Sequence, residues 1–281
     1  MRMLSFQAGD VSVFHQPHTL DEALELRGRL KENAVVVGGG TDVLVAMNHG
    51  TLRPRGFLDL SHVEGSNAVQ RDHDWITIGA GTTFAQLATL DVGCLREAAL
   101  SVGGPQIRNA GTLGGNLAGA SPAGDGCVAL LALDARVEVT SAARGPRWLS
   151  LNDEWFVAYR KTALANDELI TRVRVRSDFR SAWCKIGKRG AVNISVVCCA
   201  VGRSPDNRYC LAFGCVAFRP LRTSQAERLL QGQFPSDERI ERAAESVMAE
   251  VSPIDDHRGG AAYRRVMCGV LTRRLLREVN A

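Results

Sequence analysis

Residues 103–126 read GGPQIRNAGTLGGNLAGASPAGDG. The stretch is too rich in glycine for a standard helix and too interrupted for a long strand, so it is expected to be a loop. Its other residues are mostly small or hydrogen-bonding, among them Asn109, Thr112, Asn116, Ser121 and Asp125. Glycine allows positive φ and lets backbone N–H groups approach a ligand with no Cβ between them. Such a segment reads as a cradle for a phosphate or a planar cofactor, or else as a set of structural turns. Upstream, residues 34–47 read AVVVGGGTDVLVAM. A β-branched run, a glycine turn and an apolar helical pattern predict strand, loop and helix, with Gly38, Gly39, Gly40, Thr41 and Asp42 in the loop. A turn of this kind presents free N–H groups to a pyrophosphate. It lacks the G-x-G-x-x-G spacing of a dinucleotide fingerprint and the lysine of a P-loop.

Working outward, Thr19 with Glu22 three residues on predicts a capped helix over 19–31, after a short strand at 11–14. Strands are expected at 35–37, 57–60 and 75–79, and helices at 82–90 and 95–102. Further strands are expected at 135–140, 148–149 and 169–175, where LITRVRV alternates apolar and polar residues. After residues 177–180, strands at 182–188, 194–201 and 209–218 form an antiparallel sheet with a turn at 205–207. Apolar stripes at Ile240, Ala243, Ala244, Val247, Met248 and Val251, and at Tyr263, Val266, Met267, Val270, Leu271 and Leu275, predict two amphipathic helices. Leu229 and Leu230 belong to a shorter one. The result is a small sheet with helices on one face.

The 281 residues carry a net charge of +4, too small and dispersed to indicate nucleic acid. No apolar run approaches a membrane span, and no leader is legible at the start, so the cytoplasm is the expected location. The eight cysteines show no C-x-x-C pair or zinc spacing and are expected to be buried reduced thiols. Cys198 and Cys199, adjacent in a strand, should face opposite sides. His49 and His62 read as solvated loop residues. No nucleophile–base arrangement and no H-E-x-x-H motif is present.

The two glycine segments, together with ITIGAGTTFAQL (76–87), NDELITRVRV (166–175), LAFGCVAFRPLR (211–222) and PIDDHRGGAAYRRVMCGVLTRRLL (253–276), resemble the FAD subunit of molybdenum hydroxylases. That family includes xanthine dehydrogenase and the medium subunit of carbon monoxide dehydrogenase. The resemblance implies an α+β chain with a two-lobed PCMH-type FAD-binding domain, lobe 1 at residues 1–60 and lobe 2 at 61–177. A small C-terminal domain with a three-stranded antiparallel sheet and a helical bundle follows at 181–281. It implies FAD as cofactor, held at Val37, Gly38, Gly39, Gly40, Thr41, Asp42, Val43 and Leu44. In lobe 2 it implies Ala80, Thr112, Gly114, Gly115, Asn116, Ser121 and Asp125, then Leu169 and Ile170 near the pyrimidine end of the flavin. Lys185 would reach the flavin edge, or be an ordinary strand lysine in a surface pair. Asp125 could bind a sugar hydroxyl or cap the following helix, and Arg108 has no assigned role. Asn193 stands where a common family pattern has aspartate.

The resemblance further implies an oxidoreductase subunit in a heterotrimer, itself expected to form a dimer of heterotrimers. Its partners would be a molybdopterin large subunit and a [2Fe–2S] small subunit, and its electron acceptor NAD⁺, oxygen or a quinone. A stand-alone flavin oxidoreductase of the same fold, or a scaffold with a degenerate site, remains the alternative.

Overall fold

The computed structural model describes residues 13–281. Val11 and Ser12 of the first expected strand lie outside the described residues, and the remainder forms β1 (Val13–His15). Thr19 caps α1 (Leu20–Leu30), its hydroxyl accepting the Glu22 N–H at 3.2 Å. The Glu22 carboxylate takes the N–H of His18 at 2.9 Å, one residue before the cap. β2 (Val35–Val37), α2 (Val43–Asn48) and β3 (Gly56–Asp59) follow, and the strands pair in parallel in the order β1-β3-β2.

A second sheet begins with β4 (Val69–Arg71) and β5 (Trp75–Gly79). Five helices precede its next strand: α3 (Phe84–Leu87), α4 (Cys94–Ser101), α5 (Pro105–Ala110), α6 (Leu113–Gly119) and α7 (Asp125–Ala132). β6 (Arg136–Ser141), β7 (Gly145–Ser150), a small hairpin of β8 (Phe156–Ala158) and β9 (Lys161–Thr162), and β10 (Leu169–Arg176) complete this part. The sheet is antiparallel throughout, in the order β4-β5-β10-β6-β7. β10, last in sequence, is central because Val173 and Val175 alternate inward opposite Ile78 and Ile76.

The expectation of a loop across residues 103–126 is corrected here. Most of that stretch is helical, in α5 and α6, and α7 begins at its end. Low helix propensity is overridden by packing, because the glycines are the points where other backbone comes close. A Cβ on Gly114 would lie 3.0 Å from the Ala80 carbonyl oxygen and 2.9 Å from the Ala80 Cβ. α6 ends at Ala120, which adopts the left-handed conformation at φ 41°. Every residue of α7 is buried, as its uninterrupted apolar sequence requires.

The C-terminal part consists of β11 (Arg180–Ile186), β12 (Val197–Arg203), β13 (Tyr209–Gly214) and β14 (Leu221–Arg222), then α8 (Ser224–Leu230), α9 (Asp237–Glu250) and α10 (Ala261–Asn280). The expected antiparallel strands are present, and the two-residue β14 extends them at one edge. The sheet is covered on both faces, because α7 packs against β12 and β13 opposite α10. Accordingly Cys198 joins the core around α7 and Cys199 the core around α9 and α10.

The inward stripe of α10 differs from the expected one. Tyr263, Val266 and Val270 are exposed, while Arg264, Cys268, Leu271, Thr272 and Leu275 are buried. The displacement follows Arg264, which turns inward to bond the Cys215 carbonyl at 3.0 Å and pairs with Asp256. A buried guanidinium with these partners fixes the rotation of the helix that carries it. Met267 packs at the edge of the core, and Ile240, Ala243, Ala244, Val247 and Val251 of the α9 stripe are buried as expected.

All eight cysteines are unpaired, and all but Cys184 are buried. Burial pushes the thiols of Cys94, Cys127, Cys210 and Cys268 up to about 12 and that of Cys215 to about 11. The thiolate is the reactive form, so the folded chain should expose at most one titratable thiol, Cys184, to a disulfide reagent at neutral pH. All eight should react in denaturant. Two or more fast-reacting thiols in the native chain would contradict this packing.

Candidate cofactor site

β2, β3 and β1 are parallel, so their carboxyl ends open on one edge of the first sheet. That edge faces the second sheet across a cavity of about 1180 Å³. Small-molecule sites are commonly about 300–1,000 Å³, so this one is of dinucleotide size. The glycine turn after β2 forms one wall, and α6 with its approach forms the next.

The two glycine segments touch through their own backbones. A Cβ on Gly38 would lie 2.6 Å from the Thr112 hydroxyl, and one on Gly39 only 1.6 Å from the Ala110 carbonyl oxygen. Gly40 has φ +71°, a conformation that side chains disfavour. Among the described residues, no protein acceptor meets the N–H groups of Gly38, Gly39, Gly40, Thr41 or Asp42, and α2 starts with no side-chain cap. Backbone donors left open beside a cavity are suited to an anionic group such as a diphosphate.

Lobe 2 supplies the neighbouring wall. The Gly114 and Leu113 N–H groups donate to the Ala80 and Thr82 carbonyls at 2.8 and 2.9 Å, pinning the start of α6 to the turn after β5. Thr112 caps α6 through the Gly115 N–H at 3.1 Å. β10 carries a bulge between Ile170 and Arg172 where it pairs with β6. The bulge aims both Thr171 and Arg172 at Glu138, with the Thr171 hydroxyl at 2.6 Å and the Arg172 guanidinium at 3.0 and 2.7 Å. The Thr171 carbonyl accepts the Ala80 N–H at 3.0 Å, continuing the register of β10 with β5 one residue further.

At the start of β10, hydrogen bonds from Arg147, with help from the Ala165 N–H and Arg144, hold the Glu168 carboxyl down at about 2 despite burial. That clamp fixes Leu169 and Ile170 on the lining.

The implied site residues separate into groups. Val37, Gly38, Gly39, Gly40, Val43, Leu44, Ala80, Thr112, Gly114, Gly115, Leu169 and Ile170 line the cavity. Thr41 and Asp42 stand beside it, facing Gly111 just after α5 and Gly119 of α6: a Cβ on Gly111 would lie 3.4 Å from the Thr41 hydroxyl, and one on Gly119 3.4 Å from Asp42. Asn116, Ser121, Asp125 and Lys185 lie outside that lining, around the N-terminal end of α7. The Asn116 carbonyl Oδ1 accepts the Cys127 N–H at 3.1 Å and so serves α7 as its capping acceptor. The Ser121 hydroxyl accepts the Ala123 N–H at 3.3 Å.

Asp125 is the first residue of α7, not its cap. Its carboxylate accepts from Lys185 Nζ at 2.6 Å and Ser195 Oγ at 2.8 Å, with Asp125 buried and the Lys185 side chain nearly so. Lys185 is therefore not in a surface pair; it also bonds the Ser101 carbonyl at 3.0 Å. Arg108 receives a structural role, donating to the Val102 and Gly103 carbonyls at 3.0 and 3.1 Å where α4 ends. Asn193 donates its amide to the Arg189 carbonyl at 2.5 Å and so shapes the loop between β11 and β12. Sequence reasoning missed Glu138, Thr171 and Arg172, which the bulge assembles, and the surroundings of His62. Among the described residues no cluster of three or more His, Cys, Asp or Glu side chains is placed to hold a metal ion.

Comparison with known proteins agrees with this geometry. Residues 5–176 match the model of the FAD binding domain in molybdopterin dehydrogenase, and residues 182–279 match the CO dehydrogenase flavoprotein C-terminal domain. The chain belongs to this family. It is 30% identical to the xanthine dehydrogenase FAD-binding subunit of Escherichia coli O157:H7 over 97% of each chain. It is 35% identical to the nicotinate dehydrogenase FAD-subunit of Eubacterium barkeri over 78% of this chain and 79% of that one. A chain of carbon monoxide dehydrogenase from Hydrogenophaga pseudoflava superposes with a TM-score of 0.87 at 27% identity, covering 95% of this chain and 96% of that one. The chain is thus an FAD-dependent oxidoreductase subunit with the molybdenum hydroxylase flavoprotein fold. The cavity fits the cofactor by its size, its side-chain-free glycine walls and its open backbone donors. Among the described residues no helix is long and apolar enough to cross a membrane.

Proposed function

We propose that this chain is the electron-relay subunit of a heterotrimeric molybdenum hydroxylase of the xanthine dehydrogenase type. It would take electrons from the [2Fe–2S] clusters of a small partner subunit and deliver them to NAD⁺, oxygen or a quinone. A molybdopterin-containing large subunit would carry out substrate hydroxylation. The observation that carries the reading is the closure of two distant glycine segments on one cavity, with the N–H groups of Gly38 to Asp42 left without protein acceptors.

Bound FAD supplies the redox chemistry, exchanging electrons singly with iron–sulfur clusters and in pairs with the final acceptor. The chain's own residues bind and orient. The Gly38 to Asp42 amides would receive the diphosphate, and the exposed, side-chain-free surface of Gly115 would admit a flat ring. Thr171 and Arg172, fixed on Glu138, hold the floor of the cavity in one shape before the ligand arrives. Ser61 Oγ lies 3.0 Å from His62 Nδ1 on the lining, but its proton is given to Asp59 Oδ2 at 3.0 Å, so the protein's part is placement and control of solvent access.

The test is to purify the chain and identify its cofactor, then to mix the reduced complex with each acceptor anaerobically. About one FAD per chain is expected, with the flavin reduced through the iron–sulfur partner and reoxidised by one acceptor class. A folded chain that takes up no FAD, or flavin turnover with organic substrate in the absence of partners, would overturn the relay.

A further inference from the structure

His62 does not stand alone in solvent. Gln16, just past β1, donates its amide to Asp59 Oδ2 at 3.0 Å and contacts His62 Nδ1 at 2.7 Å. The Ser61 N–H donates to Asp59 Oδ1, and the Ser61 hydroxyl to Asp59 Oδ2, both at 3.0 Å. The Ser61 hydroxyl, its proton given to Asp59, also lies 3.0 Å from His62 Nδ1; the two amide hydrogens of Gln16 account for both Gln16 contacts, which makes His62 Nδ1 an acceptor. The ring proton then sits on Nε2, so His62 offers a donor away from the network; this tautomer is assigned from the partners. Asp59, Ser61 and His62 all line the cavity.

Their position follows from topology. Ligands of parallel sheets bind at the carboxyl ends of the strands. The order β1-β3-β2 sets the sequence along that edge: Gln16, then Asp59, then Gly38, with Thr112 against Gly38 beyond. A dinucleotide whose diphosphate rests on Gly38 to Asp42 must send one half towards Thr112 and Gly114 and the other towards Asp59. The Thr112 side has the exposed, side-chain-free surface of Gly115, suited to a flat tricyclic ring. The Asp59 side has a carboxylate and an imidazole donor, with Leu60, Val63 and Leu169 nearby on the lining. A carboxylate repels phosphate but bonds strongly to a diol, and an apolar shelf suits a purine.

We infer that Asp59 and His62, oriented by Gln16 and Ser61, bind the ribose hydroxyls of the adenosine half of FAD and make the chain select FAD over FMN. This rests on the cofactor reading above. Gln16 is a positioning residue; it acts through Asp59 and His62.

The test uses the flavin-free full chain, with FAD, FMN and ADP binding measured by fluorescence or calorimetry, on Asp59→Asn, His62→Ala and Gln16→Ala. Thermal melts of each variant check folding. Asp59→Asn should weaken FAD and ADP in parallel by tenfold or more and leave FMN within twofold. His62→Ala should do the same to a smaller extent. Equal loss of FAD and FMN, or unchanged FAD binding in a folded Asp59→Asn chain, overturns the assignment while leaving FAD as the cofactor. An unsubstituted chain that binds neither flavin nor ADP overturns the cofactor reading, and this inference with it.

Discussion

Replacing Gly39 by alanine is expected to abolish flavin binding and to destabilise the chain by about 3 kcal/mol or more, the upper end of overpacking costs. The new Cβ would stand 1.6 Å from the Ala110 carbonyl oxygen and 2.3 Å from its carbon, and both are backbone atoms. Backbone cannot swing aside as a flexible side chain does. The glycine turn after β2 would have to separate from the junction of α5 and α6, opening the wall between the two lobes. The cofactor's diphosphate would then face amides displaced from their positions. Gly28→Ala is the control: it lies within α1 with nothing inside 4 Å of the added carbon. That change should raise stability by about 0.5–1 kcal/mol, the ordinary helix preference for alanine. The measurements are denaturant unfolding and FAD content. A Gly39→Ala chain that unfolds like the original and retains its yellow colour would show that the two segments do not meet as described.

Lys185→Met should have the next largest effect. Lys185 and Asp125 pair at 2.6 Å, with side chains only 10% and 6% exposed. Removing one member of a buried pair leaves the other charge uncompensated, at a cost of about 3–5 kcal/mol. Ser195 still bonds Asp125 at 2.8 Å, which places the expected loss near the lower end of that range. Adding Asp125→Asn to Lys185→Met should recover much of the lost stability, because the residual charge is gone. The cycle of single and double variants gives the coupling directly. Independent, additive effects would contradict the pairing. FAD affinity measured on the same variants separates two roles. A stability loss with unchanged affinity makes the pair a clasp between α7 and the C-terminal sheet, whereas a loss of affinity places it at the flavin edge as the family resemblance implies.

Much of the architecture was legible along the chain. Period-two alternation at 169–175 and the capped helix after Thr19 depend on neighbours in sequence, so they survive in the fold nearly unchanged. The glycine stretch did not, since α5 and α6 owe their helical form to contacts with the turns after β2 and β5. The face of α10 was also hidden, because the rotation is set by Arg264 bonding a carbonyl 49 residues away in sequence. Of the implied site, the Gly38–Gly40 turn and Thr112, Gly114 and Gly115 meet on one cavity. Asn116 bonds the backbone of α7, and Asp125 pairs with Lys185 at the start of that helix, outside the cavity lining.

By itself, the sequence determined the family, the two glycine walls and the cofactor class, because backbone access for a large anion requires residues without side chains at fixed places. The tertiary structure decided which polar groups share the cavity with them. Glu138 meets Thr171 and Arg172 only through a bulge in β10, and Gln16 meets Asp59 and His62 only through parallel pairing of β1 with β3. Contacts between strands distant in sequence depend on register and topology, and neither is written in any local pattern.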